Sequence, residues 1–421
     1  MPQAANLTPL HVYNVGLTYY VSPSGNDSTG DGSIGNPWKT LQKAHDYLRF
    51  TANWPANQDI RVYARGGVYQ AAAATVATLD INFDQVGRLP TSTQRIIWQS
   101  YPGEQAVIKP PSGLTGAKYG IRTTSITGFS ADYQIFRQLE VDGEQIIKGD
   151  GDVTGIYLSN QTTQNEIVDC VVHGLRANYV ANGGGAARKA QGIFIEQGAV
   201  NNRVWNPHVY DIGDTAGTIA SQEHAMYLQS DGIQVVNVKI HDIPNGFGVQ
   251  FYDSGNPHTG QILTNGTIAG NIHKACIIVH PDNTNSHITN MILKGATEEG
   301  IQFYPTSGGT GSGNTIDHVV YNGNTGGDRG GVGGPAPTGW AITNEKDADP
   351  LLTDYAGRDF HLQPTSPAIA YTDTNFAPAT DIEGTTRPAG SEDAGAYQHA
   401  AGGGGGGSFS PAVLGGSFHN S

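Results

Sequence analysis

GIYLSN, residues 155–160, is the first of six segments that repeat one short pattern through the middle of the chain. The other five are GIFIEQ (192–197), AMYLQS (225–230), GVQFYD (248–253), CIIVHP (276–281) and GIQFYP (300–305). Their starts are 37, 33, 23, 28 and 24 residues apart. Each segment opens with a small residue and then alternates apolar with variable positions, which is the period of a β-strand. A strand-sized unit that recurs at this interval predicts a solenoid.

A second family of segments lies between these six, with NEIVDCVVHGL (165–175) and IQVVNVKIHDI (233–243) among them. Each carries Ile or Val at strand spacing and ends in a polar or glycine turn, so every repeat contains at least two strands. Segments that stack in register bury one apolar column on another at about 4.8 Å per coil, the ordinary distance between strands. QRIIWQSYPG (94–103) and YQIFRQLEVDG (133–143) indicate further coils before the six.

The alternation within the six segments predicts which side chains face the core. Positions two and four, counted from the small first residue, are apolar in every segment. Positions three and five then point outward, because successive side chains alternate across a strand. Position three reads Tyr157, Phe194, Tyr227, Gln250, Ile278 and Gln302. Position five reads Ser159, Glu196, Gln229, Tyr252, His280 and Tyr304.

The composition argues against several classes of function. Of the 421 residues, 58 are glycine and 37% are apolar, which fits turn-rich β-structure better than disorder. The formal net charge of −14 argues against nucleic-acid binding, which usually presents a basic face. No apolar run reaches about 18 residues, so no membrane span is predicted. Cys170 and Cys276 fall in different repeats, and we expect two buried free thiols.

The segments before the repeats predict a capped N-terminal end. TYYVSPSGNDSTGDGSIGNP (18–37) reads as a strand and a long polar loop. PWKTLQKAHDYL (37–48) predicts a short helix, because Pro37 suits a first turn and the apolar residues share one face. A helix placed before a strand stack covers the open end of its core, which a solenoid requires.

The chain is therefore divided into three parts. After the repeats come a closing segment and then six glycines (402–407), which predict either a flexible tail or an attachment peptide that packs on a neighbour in an assembly. The parts are an N-terminal extension (1–17), a solenoid domain (18–398) with its N-terminal cap (18–70) and closing segment (349–398), and a glycine-rich linker and tail (399–421).

These patterns resemble the right-handed parallel β-helix proteins of the pectate-lyase-like superfamily, and the resemblance covers residues 18–398. YYVSPSGNDSTGDGSIGNPWKTLQKA (19–44) is similar to the N-terminal cap of extracellular members. DPLLTDYAGRDFHLQPTSPAI (349–369) with DIEGTTRPAGSEDAGAYQ (381–398) resembles the closing segment of secreted bacterial members. The resemblance implies an all-β fold, a right-handed parallel β-helix of about ten coils with a short N-terminal capping helix.

The same resemblance leaves the reaction open, because the superfamily includes lyases, hydrolases, epimerases and phage adhesins. The chain lacks the paired NTDG, DD and RIK motifs of polygalacturonases, the YGFDPHD-like run of alginate epimerases and the WIDH run of pectate lyases. No catalytic residue can therefore be assigned by motif, and the candidates below come from the pattern of residues alone.

The outward positions predict a carbohydrate-binding groove. Aromatic rings interleaved with hydrogen-bonding groups suit a sugar chain, whose rings offer apolar faces and hydroxyl edges. The alternative is that these aromatic residues have no role in binding and occur on this face because Tyr and Phe favour strands. The predicted substrate-binding residues on this face are Phe194, Gln229, Gln250, Tyr252, Asp253, His280 and Tyr304.

The longest interval between segments inserts LRANYVANGGGAARKAQ (175–191) just before the strand that carries Glu196. Arg176, Arg188 and Lys189 give this loop local positive charge in an acidic protein. Long loops carry function more often than short ones, although a solvated loop with surface cations is the alternative. We expect the two arginines to bind substrate.

Lyase chemistry on a uronic acid needs a cation near the substrate carboxylate and a base that removes the C5 proton. Lys189, Arg188 or Arg176 is suited to neutralise the carboxylate or to remove the proton. Tyr227 or His224 is suited to relay it, since a histidine of near-neutral pKa beside a tyrosine serves this role. The alternative for His224 is a structural histidine at a corner of the coil.

Hydrolysis instead needs two carboxylates, about 5–5.5 Å apart for retention or about 6.5–9.5 Å apart for inversion. Glu196 is the one carboxylate at the outward positions three and five. Its candidate partners are Glu223, Asp231 and Asp253, all near strand ends. Glu196 and Asp253 lie two coils apart, about 10 Å by strand spacing, which is near the inverting range.

Ca²⁺ is the one candidate cofactor, and no metal ligand is assigned to it. Asp27 and Asp31 lie in SGNDSTGDGS (24–33), which lacks the full ligand spacing of a known Ca²⁺ loop. Asp211 and Asp242 end successive strands of the second family and, with His173 and His241 nearby, offer oxygens on adjacent coils. Solvated turn aspartates are the commoner explanation of such residues.

Together these observations predict an extracellular or cell-surface protein that cleaves a polysaccharide as a lyase or glycoside hydrolase, with Glu196, Lys189, His224 and Tyr227 as catalytic candidates. MPQAANLTPL (1–10) lacks the apolar core of a signal peptide, so a removed leader or another route, such as a virion, is expected. The rival prediction is a non-catalytic surface, filament or phage adhesin protein that self-associates through its C-terminal tail.

Overall fold

The computed structural model describes residues 6–50, 53–83, 89–112, 116–125, 129–143, 151–176, 189–213, 223–251, 256–304, 309–330 and 337–399. The elements before the repeats are β1 (Val15–Val21), α1 (Leu41–Phe50), β2 (Asp59–Ala64), β3 (Gly67–Gln70), β4 (Ala77–Asn82), β5 (Ile96–Ser100), β6 (Ala106–Lys109), β7 (Lys118–Thr124), β8 (Gln134–Arg137) and β9 (Glu140–Asp142). The coils of the repeats contain β10 (Val153–Leu158), β11 (Glu166–Val168), β12 (Val171–Leu175), β13 (Ala190–Ile195), β14 (Arg203–Trp205), β15 (His208–Ile212), β16 (Glu223–Leu228), β17 (Gln234–Val236), β18 (Lys239–His241), β19 (Gly246–Phe251), β20 (Ile262–Thr264), β21 (Thr267–Ile272), β22 (Ile277–Val279), β23 (His287–Ala296), β24 (Glu299–Phe303), β25 (Asn314–Asn322), β26 (Gly327–Gly330) and β27 (Trp340–Asp347). The hairpin β28 (Leu352–Asp354) and β29 (Asp359–Leu362) follows.

One face of the solenoid is a nine-stranded parallel sheet, which we call the repeat sheet, in the order β4-β7-β10-β13-β16-β19-β22-β24-β26. Six of its inner strands, β10, β13, β16, β19, β22 and β24, contain the six repeated segments. Each strand pairs in parallel with the equivalent strand one coil away, for example Ile156 with Ile193 and Ile193 with Met226. The predicted right-handed parallel β-helix is confirmed.

The core positions of the six segments are buried as predicted. All twelve side chains at positions two and four lie in one continuous apolar core that runs the length of the solenoid, and none is more than 6% exposed. The twelve are Ile156, Leu158, Ile193, Ile195, Met226, Leu228, Val249, Phe251, Ile277, Val279, Ile301 and Phe303.

The small first residue of each segment faces inward, which simple alternation does not predict. A Cβ on Gly155 would lie 2.4 Å from Val172 Cγ1 and 2.6 Å from the carbonyl oxygen of Gly192. Gly192 is confined in the same way, by the carbonyl oxygen of Ala225 and by Val209. The space between the core and the next coil therefore admits only a small residue at this position, and at Gly155 and Gly192 even a Cβ is crowded.

The other faces form one 18-stranded parallel sheet, in which short strands occur two to a coil and the longer β23, β25 and β27 span both faces. Between the two strands of each coil the chain turns through a left-handed residue. Asn and Asp tolerate this conformation because their short polar side chains bond locally. These residues, with φ of 54, 54, 55, 52 and 58°, are Asp169, Asn206, Asn237, Asn265 and Asn290.

The capping helix α1 begins at Leu41, later than the predicted start at Pro37. The backbone N–H of Trp38 donates to Tyr20 in β1 at 3.2 Å, so this part of the chain is extended. The Asp27 carboxylate then accepts the N–H groups of Lys39 and Thr40, which caps the helix. The apolar face of α1, Leu41, Ala44 and Leu48, is buried as expected.

The predicted closing segment packs along the side of the coils. Phe360 and Ala394 form an apolar cluster with Ala269, Ile292 and Val320, which project from β21, β23 and β25. The two cysteines, Cys170 and Cys276, are buried and unpaired as expected. No helix among the described residues has the length and apolar character needed to cross a membrane.

The N-terminal extension lies against the same side of the solenoid. Residues 6–14, which we call the strap, cover an apolar stripe in which Leu7 packs with Trp205 and Val236. Buried Glu166 there binds Arg95 at 3.1 Å and Arg203 at 2.6 Å. The strap is tied to three successive coils by hydrogen bonds from His11 N to Glu166, from Arg203 to Pro9 O, and from Thr8 N to Gln234.

Candidate functional site

The outer face of the repeat sheet carries a ladder of aromatic rings. Four rings from four successive coils stack with centroids about one coil apart: Tyr119 to Tyr157 is 4.9 Å, Tyr157 to Phe194 is 5.1 Å, and Phe194 to Tyr227 is 5.2 Å. For Tyr157, Phe194 and Tyr227 this spacing follows from the parallel register, which places equivalent side chains one above the other, whereas Tyr119 is aligned with Thr154 and reaches Tyr157 from another row. Because the rings lie against one another, the ladder presents their edges outward, as an apolar row against which sugar rings can pack.

The face becomes less accessible after the fourth ring. Tyr227 is 8% exposed, and Gln250, the next residue in the row, is 5% exposed. Ile278 follows and packs with Phe247 and Ala275 in a small apolar cluster. The accessible part of the ladder therefore lies at Tyr157 and Phe194, on the coils beside Lys189 and Glu196.

Glu196 follows β13 at position five and is half-buried. Its Oε2 accepts the hydroxyl hydrogen of Tyr157 at 2.6 Å and the backbone N–H of Asn160 at 2.8 Å. Burial and the neighbouring Glu196 carboxylate both raise the pKa of Tyr157, so this tyrosine stays protonated. Glu196 thus fixes the second ring of the ladder and the turn after β10.

His224 lies on the outer face at the start of β16, next to the ladder. Its ring centroid is 4.8 Å from that of Tyr227 and 5.7 Å from that of Phe247, with which it stacks. The side chain is 3% exposed, and its Nδ1 has no hydrogen-bond partner among the described residues. Burial and the charge of Lys189 lower the pKa of His224 to about 3. The predicted near-neutral pKa is wrong, because the ring is desolvated beside a cation.

Lys189 immediately precedes β13, on the coil before His224. Its backbone is fixed: the N–H donates to Asp152 Oδ1 at 2.9 Å, and the carbonyl accepts Val153 N–H at 2.8 Å. Gln191, two residues on, is in register with His224. Within the described part of the chain, no hydrogen bond or ion pair is made by the Lys189 ammonium. Among the residues that the structure describes, Lys189 is therefore a half-buried cation without a counter-charge at the edge of the aromatic ladder.

Position five does not face solvent in every coil, contrary to prediction. Ser159 and His280 are buried, because the chain turns sharply after the strand and covers them. The Nδ1 of His280 accepts Asp282 N–H at 3.1 Å, and burial lowers the pKa of this imidazole. Gln229 is half-buried and Tyr304 is 45% exposed.

Three of the predicted substrate-binding residues, Arg188, Tyr252 and Asp253, lie outside the described residues. Arg176 is described, and its guanidinium forms an ion pair with Asp211. This pairing holds Arg176 at the end of β12 and already neutralises its charge. Among the described residues of that loop, Lys189 is therefore the cation that is available to a ligand.

The register argues against pairing Glu196 with Glu223 for hydrolysis, and the predicted pair of Glu196 with Asp253 stays untested because Asp253 lies outside the described residues. Since Gln191 pairs with His224, Glu223 is aligned with Ala190, six strand residues from Glu196, or about 20 Å. That distance is far beyond the range for either stereochemical outcome. Asp231 is engaged elsewhere, because its Oδ1 accepts Thr259 N–H at 2.9 Å.

The residues considered for Ca²⁺ are held by other partners. Asp27 caps α1, as described above. Asp242 forms an ion pair with Arg358 at 2.6 Å and bonds His241 at 2.7 Å, while Asp211 is paired with Arg176. Over the described ranges, no group of three or more His, Cys, Asp or Glu side chains has the geometry to hold a metal ion.

Two residues at the start of the ladder were missed by the sequence reasoning. Tyr119 begins the stack, and Arg122, bonded to Asp80 at 2.6 Å, precedes Tyr157 in the row. Their strand β7 opens with the same glycine-apolar pattern, at Gly120 and Ile121. The signal was hidden because the next core position is Thr123, which is polar although fully buried.

Comparison with solved structures places this chain among parallel β-helix proteins. The crystal structure of pectate lyase Pel9A matches with a TM-score of 0.57 at 14% sequence identity, over 92% of this chain and 98% of that one. A structure described as a glycoside hydrolase matches with a TM-score of 0.52 at 9% identity, over 83% of this chain and 99% of that one. No protein-family model and no curated protein matches the chain.

Proposed function

We propose that this protein binds a polysaccharide along the outer face of the repeat sheet and cleaves it. The aromatic ladder from Tyr119 to Tyr227 offers an apolar row of ring edges against which sugar rings can pack, and Glu196 and Lys189 at its edges offer polar contacts to hydroxyl and acidic groups. The similarity in fold to a pectate lyase and to a glycoside hydrolase is consistent with such a substrate. An extracellular location is part of the same proposal.

The ammonium of Lys189, which has no partner among the described residues, is the observation that favours a lyase over a hydrolase. A uronic acid residue presents a carboxylate, and a cation next to it lowers the energy of the enolate that forms when the C5 proton leaves. Hydrolysis would require a second carboxylate near Glu196; Glu223 is aligned about 20 Å away, and Asp253 lies outside the described residues. We therefore infer that the substrate contains uronic acid residues.

In the proposed elimination, Lys189 binds the substrate carboxylate and the His224–Tyr227 pair handles the proton. His224 and Tyr227 are nearly buried, so this step requires the uronate to reach the inner end of the ladder; there neutral His224 accepts the C5 proton and Tyr227, next to it, relays the proton onward. The electron pair of the C5–H bond forms the C4=C5 double bond as the C4–O4 bond breaks. The departing O4 takes up a proton, so one chain becomes an unsaturated uronate and the other a new alcohol end.

Incubation of the protein with a panel of acidic and neutral polysaccharides tests this function. We expect new ultraviolet absorbance from the C4=C5 double bond conjugated to the carboxylate, with an acidic polysaccharide only. New reducing ends without that absorbance would show hydrolysis and overturn the lyase assignment. The absence of any product across the panel, together with filaments or trimers by light scattering, would favour the non-catalytic adhesin alternative.

A further inference from the structure

The outer face of the sheet that contains the short strands β11, β14, β17 and β20 changes from apolar to polar along the solenoid. One row in register reads Val168, Trp205 and Val236, and it continues through Thr264 and Thr289 to Asp317 and Thr343. The apolar beginning of this row is covered by the strap. Its polar end, in β25 and β27, lies beyond the strap.

A cavity of about 450 Å³ opens where this cover ends. It lies between the first described residue of the strap, Asn6, and the closing segment. This volume falls within the range of about 300–1,000 Å³ typical of small-ligand pockets. The residues that give the cavity its chemistry are His287, Thr315, Asp317, Thr343, Asp373 and Phe376.

The cavity combines an aromatic wall with several hydrogen-bonding groups. The rings of His287 and Phe376 lie 4.8 Å apart. The hydroxyl of Thr315 is 2.8 Å from His287 Nδ1, so when it donates there, the imidazole carries its proton on Nε2 and donates in turn. The Thr343 hydroxyl donates to Asp317 Oδ1 at 2.7 Å and keeps its lone pairs for a ligand.

The charges of the cavity exclude an anionic ligand. Although burial opposes ionisation of Asp317, hydrogen bonds from Thr343, Asn344 and His318 lower its pKa overall, so the group is ionised. Burial lowers the pKa of His287, partly offset by the charge of Asp373, so the imidazole is neutral at pH 7. Two carboxylates and a neutral imidazole therefore face the ligand.

We infer that this cavity is a second carbohydrate site, which binds one or two neutral sugar rings on the side of the solenoid. An aromatic edge with hydroxyl, imidazole and carboxylate groups matches the apolar face and hydroxyl edge of a neutral pyranose. The ligand of this site is neutral, whereas the proposed groove favours an anionic uronate because of Lys189. It would anchor a neutral sugar of the same polysaccharide, or of another, without taking part in cleavage.

Isothermal titration with neutral disaccharides, such as cellobiose, lactose and maltose, and with galacturonic and glucuronic acid tests this inference on the full chain. We expect millimolar binding of at least one neutral disaccharide, and no binding of the uronic acids in Lys189→Met, in which the cation of the proposed groove is removed. Thr343→Val and His287→Ala should each weaken that binding about tenfold or more, while Lys189→Met leaves it unchanged. The unfolding transition of each variant, followed by circular dichroism, controls for misfolding.

Three outcomes would overturn the second site: no binding of any neutral disaccharide, equal affinity for a uronic acid in Lys189→Met, or binding that Lys189→Met abolishes while Thr343→Val and His287→Ala retain it. The last result would place the saccharide in the proposed groove. Because cleavage is measured separately, failure of the second site leaves the proposed lyase activity open, and loss of activity leaves this site open.

Discussion

Lys189 and His224 are adjacent groups whose charges depend on each other. Burial lowers the pKa of His224 most, and the positive charge of Lys189 lowers it further. A substrate carboxylate bound at Lys189 would offset that second effect and raise the pKa of the imidazole within the complex. Substrate binding and proton uptake by His224 are thereby coupled, which favours proton transfer only when a uronate is in place.

Glu196→Gln tests the role of the carboxylate that the sequence had marked as catalytic. A glutamine oxygen can still accept the Tyr157 hydroxyl, but it forms a weaker hydrogen bond than a carboxylate does. We expect the free energy of unfolding to fall by about 1–2 kcal/mol, and the elimination rate to stay within about threefold of wild type. Denaturant unfolding and the ultraviolet assay measure the two quantities. Complete loss of cleavage in a folded variant would show that Glu196 takes part in the reaction.

At the scale of the strand, the small residue that opens each repeat fixes how closely the coils pack. In Gly155→Ala the added Cβ would meet both Val172 and the carbonyl of Gly192 at under 3 Å. We expect a loss of about 2 kcal/mol or more in unfolding free energy, as for other overpacked sites. Gly35→Ala is the matched control, since its Cβ meets nothing within 4 Å and should change stability by less than about 0.5 kcal/mol. Equal stability of the two variants would contradict this packing account.

The strand repeat made the core of this fold predictable from sequence, because alternation determines which side of a strand each residue faces. It gave the core column and the outward row with Phe194 and Tyr227. It failed where the chain leaves the strand: Ser159 and His280 follow the alternation in sequence but are covered by the turn. Packing between distant segments, such as the strap against Trp205, leaves no periodic signal in the sequence.

The site was predictable in part for the same reason. The strand pattern predicted that Glu196 and Tyr227 lie on one face, and the positive charge of the loop before β13 indicated Lys189 as a candidate. The pairing of Arg176 with Asp211 and the burial of His224 depend on neighbouring coils and loops, which a single segment does not reveal. Tyr119 was missed because a buried threonine interrupted the apolar pattern of its strand.

At the scale of the whole molecule, buried neutral histidines predict sensitivity to mild acid. Burial is the main cause that lowers the pKa of His45 to about 4, of His224 to about 3, and of His208 well below its usual value. Below about pH 6.5 these groups take up protons in the unfolded chain but not in the folded one, so stability falls as pH decreases. His361, whose pKa is raised to about 9, is charged in both states there and adds no slope.

Denaturant unfolding between pH 6.5 and 5 measures this effect. Each such histidine contributes up to about 1.4 kcal/mol per pH unit to the slope of the unfolding free energy against pH, which corresponds to one proton. His208→Asn should therefore reduce this slope by up to about 1.4 kcal/mol per pH unit. A free energy of unfolding that stays constant over this range, or a slope that His208→Asn leaves unchanged, would show that these imidazoles are not held neutral.

The solenoid as a whole holds its proposed chemistry on one face, at the coil where the ladder is accessible and where Lys189 has no counter-charge in the described part of the chain. The most direct test is the initial rate of elimination by Lys189→Met on the acidic polysaccharide that wild type cleaves, with Lys39→Met, an exposed lysine of the N-terminal cap, as the control. We predict that kcat/KM falls about 100-fold or more in Lys189→Met, the usual effect of losing one electrostatic group at a reacting centre, and stays at the wild-type value in Lys39→Met. A Lys189→Met protein that cleaves at the wild-type rate would contradict the account.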